Sequence, residues 1–206
     1  MHYDPRIDLK PAPLRFNPLN ALVAPRPIGW ITSMDREGRV NLAPFSYFNA
    51  FSADPPIVGF APNAHSNGGG KDTLRNVQAV PEFTASIVSA DLARQMNETS
   101  RQLPYGENEL IAAGLTAVAS KFVRTPRVAE ARAALECRVF EIVALPAGTD
   151  GRGSHLVLGE VVGVYIDDAL IGSNGRVDSI ALAQVARLGY HDYTNVAAIY
   201  EMRRPD

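Results

Sequence analysis

Apolar and polar residues alternate with a period of two over several short stretches of this chain, and the alternation predicts strands. In Glu82–Ser89, Phe83, Ala85 and Ile87 alternate with polar neighbours. Ala133–Leu145 and His155–Ile166 carry the two longest such patterns, joined as a hairpin by the Gly-rich turn Gly148–Ser154. Upstream, the apolar run that begins at Trp30 (Gly-Trp-Ile-Thr-Ser-Met) and Arg39–Ala43 flank Asp35–Gly38. A glycine closing a four-residue loop between two such runs marks another hairpin. Pro44 lacks an N–H and predicts a bend or bulge. Ser46–Ser52 and Ile57–Ala61 read as further strands, separated by the stop Asp54-Pro55-Pro56. Leu74 and Val77, three apart, predict a helix over Lys71–Ala79. Asp91–Ser100 with Asp91 as its cap, Glu107–Ala113 ended by Gly114, and Asp178–Ala186 read as further helices. The first 25 residues are Pro-rich and read as an extended arm.

About seven short strands with few helices favour a mainly β fold, a β-barrel with peripheral helices. The βαβ rhythm and the G-x-G-x-x-G fingerprint of a dinucleotide-binding sheet are missing. Composition keeps this picture and narrows it. At 206 residues, 46% hydrophobic and 20% charged, the chain has the make-up of one ordinary globular domain. The formal charge of −2 is spread without a basic stripe, which argues against nucleic acid as a partner. No apolar run approaches the roughly 18 residues of a membrane span. The N-terminus has early acids and prolines in place of a signal peptide's apolar centre. The single cysteine, Cys137, fits a reducing compartment, so cytoplasm is the expected location, and its apolar neighbours read as packing. No cluster of His, Cys, Asp and Glu has metal-ligand spacing.

Candidate chemistry concentrates between Arg26 and Asn76. Ser66-Asn67-Gly68-Gly69-Gly70-Lys71-Asp72-Thr73 precedes the expected helix. Glycines let backbone N–H groups approach an anion, a helix N-terminus adds partial positive charge, and Lys71 adds a full one. This is not a P-loop, because His65 stands where that motif needs its first glycine and Asp72 where it needs Ser or Thr. Taken alone, the run reads equally well as a capped surface turn. Asn41 offers donor and acceptor groups to a ring carbonyl or imide, and Pro44 leaves neighbouring backbone groups outside a ladder. Phe45, Phe48 and Phe51 taken singly are core aromatics, and Thr32 and Ser33 taken singly read as solvent-facing turn residues.

Together these residues resemble the flavin reductase-like, FMN-binding split-barrel family. The resemblance runs through Arg26-Pro27-Ile28, Trp30–Ser33, Gly38 with Asn41–Ser46, Asp54-Pro55-Pro56, and Lys71-Asp72-Thr73 with Asn76. It continues in Glu82-Phe83, Ala113-Gly114-Leu115, Pro126-Arg127-Val128, Leu135-Glu136-Cys137, Gly159-Glu160-Val161 and Arg187-Leu188-Gly189. It implies a six-stranded antiparallel Greek-key split barrel over residues 26–195, between an N-terminal arm (1–25) and a C-terminal tail (196–206). It also implies FMN bound near a homodimer interface and reduction of the flavin by NADH or NADPH, with a monooxygenase or other electron acceptor as a further partner. Carried over residue by residue, Thr32 and Ser33 would face the flavin or its ribityl chain. Asn41, Ala43, Pro44, Phe45 and Ser46 would line the isoalloxazine, partly through backbone atoms. Ser66, Lys71, Asp72 and Thr73 would hold the phosphate end, Asp72 by capping the helix or orienting Lys71. Arg187 and Tyr193 would close the site, within the chain or across the dimer. His155 stands where many such reductases have Gly-Asp-His, but Ser154 replaces the acid here. It is the candidate catalytic contact to nicotinamide or flavin, or else a hairpin-end histidine without a role. Two other activities stay open: an electron-transfer flavoprotein with tightly held FMN, and a non-catalytic β-barrel binding module.

Overall fold

A computed structural model describes residues 1–8, 10–62, 72–104, 106–148, 151 and 153–205. Seven strands form one antiparallel sheet: β1 (Gly29–Met34), β2 (Val40–Phe45), β3 (Phe48–Ala53), β4 (Pro56–Phe60), β5 (Glu82–Ile87), β6 (Ala133–Leu145) and β7 (Ser154–Ile166). Their order is β2-β1-β5-β6-β7-β4-β3. The outermost strands, β2 and β3, are consecutive in the chain and joined only by Ser46 and Tyr47. In a flat sheet seven strands would separate them by about 29 Å. A two-residue link spans only about 10 Å. The sheet is therefore rolled. The outer strands share no ladder among the described residues, which makes this a split barrel, with seven strands in place of the six implied.

Two apolar clusters lie on the two faces of the rolled sheet. Inside are Ile31, Phe45, Phe60, Phe83, Cys137 and Val157 with their neighbours. The Phe60 ring sits 5.0 Å from Phe45 and 5.1 Å from Phe83, the second contact edge-on. Phe83 lies where a Cβ on Gly159 would fall, 2.5 Å from its ring, which explains the glycine in β7. Outside are Trp30, Leu42, Val88, Leu92, Met96 and Leu110, among others, where the short helices α2 (Ala93–Glu98) and α3 (Glu109–Ala112) cover the sheet. Strand β1 feeds both clusters, Ile31 inward and Trp30 outward, and is buried along almost its whole length.

Helix α1 (Asp72–Ala79) places Val77 in the inner cluster and so closes one end of the barrel. The expected helix at Asp91–Ser100 is shorter, a 3-10 turn running into α2, and Asp91 accepts from the Ser89 hydroxyl. The helix expected at Asp178–Ala186 is confined to Ser179–Leu182, capped by Asp178, and Val185–Arg187 is a strand. That strand pairs with Arg26–Pro27 and Tyr193–Asn195 in a separate three-stranded sheet. The N-terminal stretch is not extended throughout, since Leu19–Leu22 form a helical turn. Buried Arg26 ties this turn down by donating to the carbonyls of Asn20, Val23 and Leu188. No helix among the described residues is long and apolar enough to cross a membrane.

Candidate functional site

Pro44 does not break β2, contrary to the expected bend. The strand continues to Phe45 because it is an edge. In the β1–β2 register Thr32 opposes Leu42 and Trp30 opposes Pro44. The Leu42 N–H points away from β1, since it donates to the Glu109 carboxylate at 3.1 Å. Alternation puts the backbone of Pro44 on the same outward side. An N–H is therefore not missed there, and the Pro44 carbonyl faces away from the ladder.

A cleft opens on this outward side. One wall is Asn41, Ala43 and Pro44 with Asp72 and Thr73 of α1; the other is the segment 99–103, and Glu109 completes the lining. The polar end is cross-linked beneath the surface. Asn41 Nδ2 donates to Thr73 Oγ1 at 2.9 Å, and Asn76 Nδ2 donates to Ser33 Oγ at 3.2 Å. Ser33 and Asn41 oppose each other in the ladder, so two strand residues hold two residues of α1. Thr73 and Asn76 are almost wholly buried; Ser33 accepts from the Asn76 Nδ2, while the Asn76 Oδ1 has no hydrogen-bond partner among the described residues. Burial pushes the Glu109 carboxyl above its ordinary range, its own and Leu42's N–H groups oppose this, and the nearby charges of Asp72 and Glu107 add to the rise.

Ser33 is fully buried under α1 and Thr32 fully buried on the opposite face, beside Thr84, whose hydroxyl donates to Pro126 O. Neither lines the cleft. The Phe45 ring is in the barrel core, and by the same alternation its backbone faces β1, opposite Gly29. Phe48 is core as well, whereas Phe51 is 57% exposed. Ser46 opens onto a different groove, with Tyr47, Phe48, Phe51 and Arg26. Ser66 and Lys71 lie outside the described residues. His155 is half-buried opposite Ala144 in the long hairpin, and Arg187 donates to Tyr193 Oη and Tyr190 O. Neither joins the described lining of the cleft within one chain. Cys137 is buried in the inner cluster, and burial pushes its thiol up.

Two parts of the cleft went unseen in the sequence. Glu109 lay inside the helix expected at Glu107–Ala113, residues 99–100 ended the helix expected at Asp91–Ser100, and 101–103 belonged to no expected element. The connection that places the second wall is the Trp30 indole, whose Nε1 donates to Thr99 Oγ1 at 2.8 Å across 69 residues of sequence. No local pattern carries it.

A rolled, split antiparallel sheet with a cleft on its edge strand defines a split-barrel protein. Residues 22–181 match the family model described as flavin reductase like domain, and the chain belongs to that family. Among its relatives, an uncharacterised protein of Deinococcus radiodurans is 37% identical over 98% of this chain and 89% of its own. Nitrilotriacetate monooxygenase component B from Bacillus cereus is 32% identical with a TM-score of 0.83, covering 89% of this chain and 90% of its own. The 2-nitrobenzoate 2-nitroreductase of Pseudomonas fluorescens is 28% identical with a TM-score of 0.79, covering 91% of this chain and 88% of its own.

Proposed function

We propose that this chain is an FMN-binding flavoprotein acting as an NAD(P)H:flavin oxidoreductase. The observation that carries the reading is the place of the cleft. In a member of the flavin reductase-like family, it opens on an edge strand at Ala43 and Pro44, where the Pro44 carbonyl faces outward from the ladder. These groups fit a flat ring with polar edges: Ala43 and Pro44 leave room for it, and the outward carbonyl of Pro44 is an acceptor for a ring N–H.

Bound FMN would supply the chemistry, accepting hydride at N5 from C4 of NADH or NADPH. The chain's task is then alignment. Ala43 and Pro44 would form the ring bed, with Phe45 supporting it from the core and Ser46 beyond it at the neighbouring groove. Asn41 and Thr73 hold the polar side, and Ser66 and Lys71 take the phosphate, with Asp72 orienting the lysine. Thr32 and Ser33 act as supports under this bed, Ser33 through Asn76.

The cleft encloses about 80 Å³, well below the ~300 Å³ of a small ligand pocket. Further walls are therefore required, and a homodimer supplies them in this proposal, with His155 or Arg187 arriving from the partner. Exposed apolar residues suited to such an interface include Leu22, Phe51, Phe140 and Val164, each more than half exposed. By analogy with the monooxygenase component among its relatives, a partner that consumes reduced flavin is proposed.

The test is titration of purified protein with FMN, followed by nicotinamide oxidation with and without flavin. Saturable perturbation of the flavin absorbance and flavin-dependent oxidation of NADH or NADPH are expected. Binding without oxidation would leave an electron carrier, and no perturbation would leave a non-catalytic module.

A further inference from the structure

We infer that the segment 99–103 is a phosphomonoester-binding wall of the cleft, with Arg101 as its cation. The inference rests on the flavoprotein reading above and assigns a residue to it from the second wall.

The first observation is charge. Asp72 and Glu109 both line the cleft, so a phosphate entering it meets two carboxylates. Among the described residues lining it, Arg101 is the one cation. A phosphomonoester carries nearly two negative charges near neutral pH, and a guanidinium offers it two parallel N–H groups.

The second observation is that the wall is fixed while the cation is not. Thr99 is almost fully buried; its hydroxyl accepts from Trp30 Nε1 and donates to Met96 O at 2.8 Å. Ser100 Oγ donates to Asn97 O at 2.6 Å, and the Arg101 N–H donates to Glu98 O at 3.2 Å. The backbone of Arg101 is thus anchored to the core at the rim of the cleft. Its side chain is 69% exposed and pairs with Glu98, itself 50% exposed, at 2.8 Å. Exposed pairs of this kind contribute little, so the guanidinium turns to a phosphate at little cost.

Two ligands of the proposed reaction carry a phosphomonoester: FMN at its 5′ end and NADPH at its 2′ position. Riboflavin and NADH are the matched ligands without it. The experiment measures FMN and riboflavin affinities, and KM for NADPH and NADH, in the full chain and in Arg101→Gln and Arg101→Lys. If the wall takes the flavin phosphate, Arg101→Gln weakens FMN about tenfold, leaves riboflavin unchanged, and high salt reduces the FMN preference of the unaltered protein. If it takes the dinucleotide phosphate, KM rises about tenfold for NADPH alone. Arg101→Lys, keeping charge without the fork, falls between in either case. Equal changes for both members of a pair, or no change in any, overturn the inference and leave the flavin reading standing. Failure of the unaltered protein to bind either flavin overturns both.

Discussion

The two edge strands of the sheet are neighbours in the chain and opposites in surroundings. Strand β2 is covered: Glu109 takes its Leu42 N–H, Leu42 packs against the outer cluster, and the segment 99–103 stands beside it. Strand β3, two residues later, is bare from Asn49 to Ala53. An uncovered edge is a template for pairing, and chains manage such edges by covering or twisting them. Here one edge is covered well enough to shape a cleft, and the other is left with Phe51 in solvent. The comparison separates what builds the site from what is left for assembly.

The covered edge depends on Trp30, so the largest effect is expected there. Trp30→Ala removes a fully buried side chain and the donor to Thr99. It should cost about 3–5 kcal/mol of stability in urea unfolding, and weaken flavin binding further by loosening the second wall. Stability within experimental error of the unaltered protein would show that this side of the sheet is not braced through Trp30. Next comes Asn41→Ala, which leaves the buried Thr73 hydroxyl without its donor. A loss of about 1–3 kcal/mol is expected, with faster amide exchange in α1 than in β6. Unchanged exchange in α1 would mean that Val77 alone holds that helix.

The difference between the edges was only partly legible in the sequence. Period-two alternation and the Gly38 turn located β1, β2 and the long hairpin, because those signals lie within a few residues of one another. Asn41 could be singled out as a polar group on a strand, and Asp72 and Thr73 as polar groups at the start of the expected helix, for the same reason. The roll of the sheet follows from strand order, which alternation does not encode. Pro44 looked like an interruption because a sequence does not say which positions of an edge strand point their N–H outward. Leu42, Glu109, Trp30 and Thr99 come together only through tertiary packing, so their joint role was invisible.

Glu109 gives a smaller effect that depends on pH. Its carboxyl is raised by burial above the ordinary value of 4.5, so the folded chain holds that proton more tightly than the unfolded chain. Its contribution is full below the ordinary value and is lost as pH rises through the raised folded value. Glu109→Gln keeps an oxygen for Leu42 and removes the titration. Between those two values the unaltered protein should lose stability relative to the variant, by at most about 1.4 kcal/mol per pH unit. Parallel stability profiles for the two proteins would place the proton elsewhere.

The smallest effect on the chain itself belongs to the bare edge. Phe51 is 57% exposed, so Phe51→Lys should change the stability of the isolated chain by no more than about 0.5 kcal/mol. Its consequence lies in assembly. On the proposal that β3 and the outer face of the long hairpin meet a second copy, a charge at position 51 disfavours burial of that face. Light scattering should then show a shift toward monomer, and flavin affinity should fall with it, because the 80 Å³ cleft of one chain loses its remaining walls. A variant that stays dimeric and keeps its flavin would remove β3 from the interface. A monomer that keeps its flavin would instead show that one chain completes the site alone, and the contrast between the edges would then concern solubility more than catalysis.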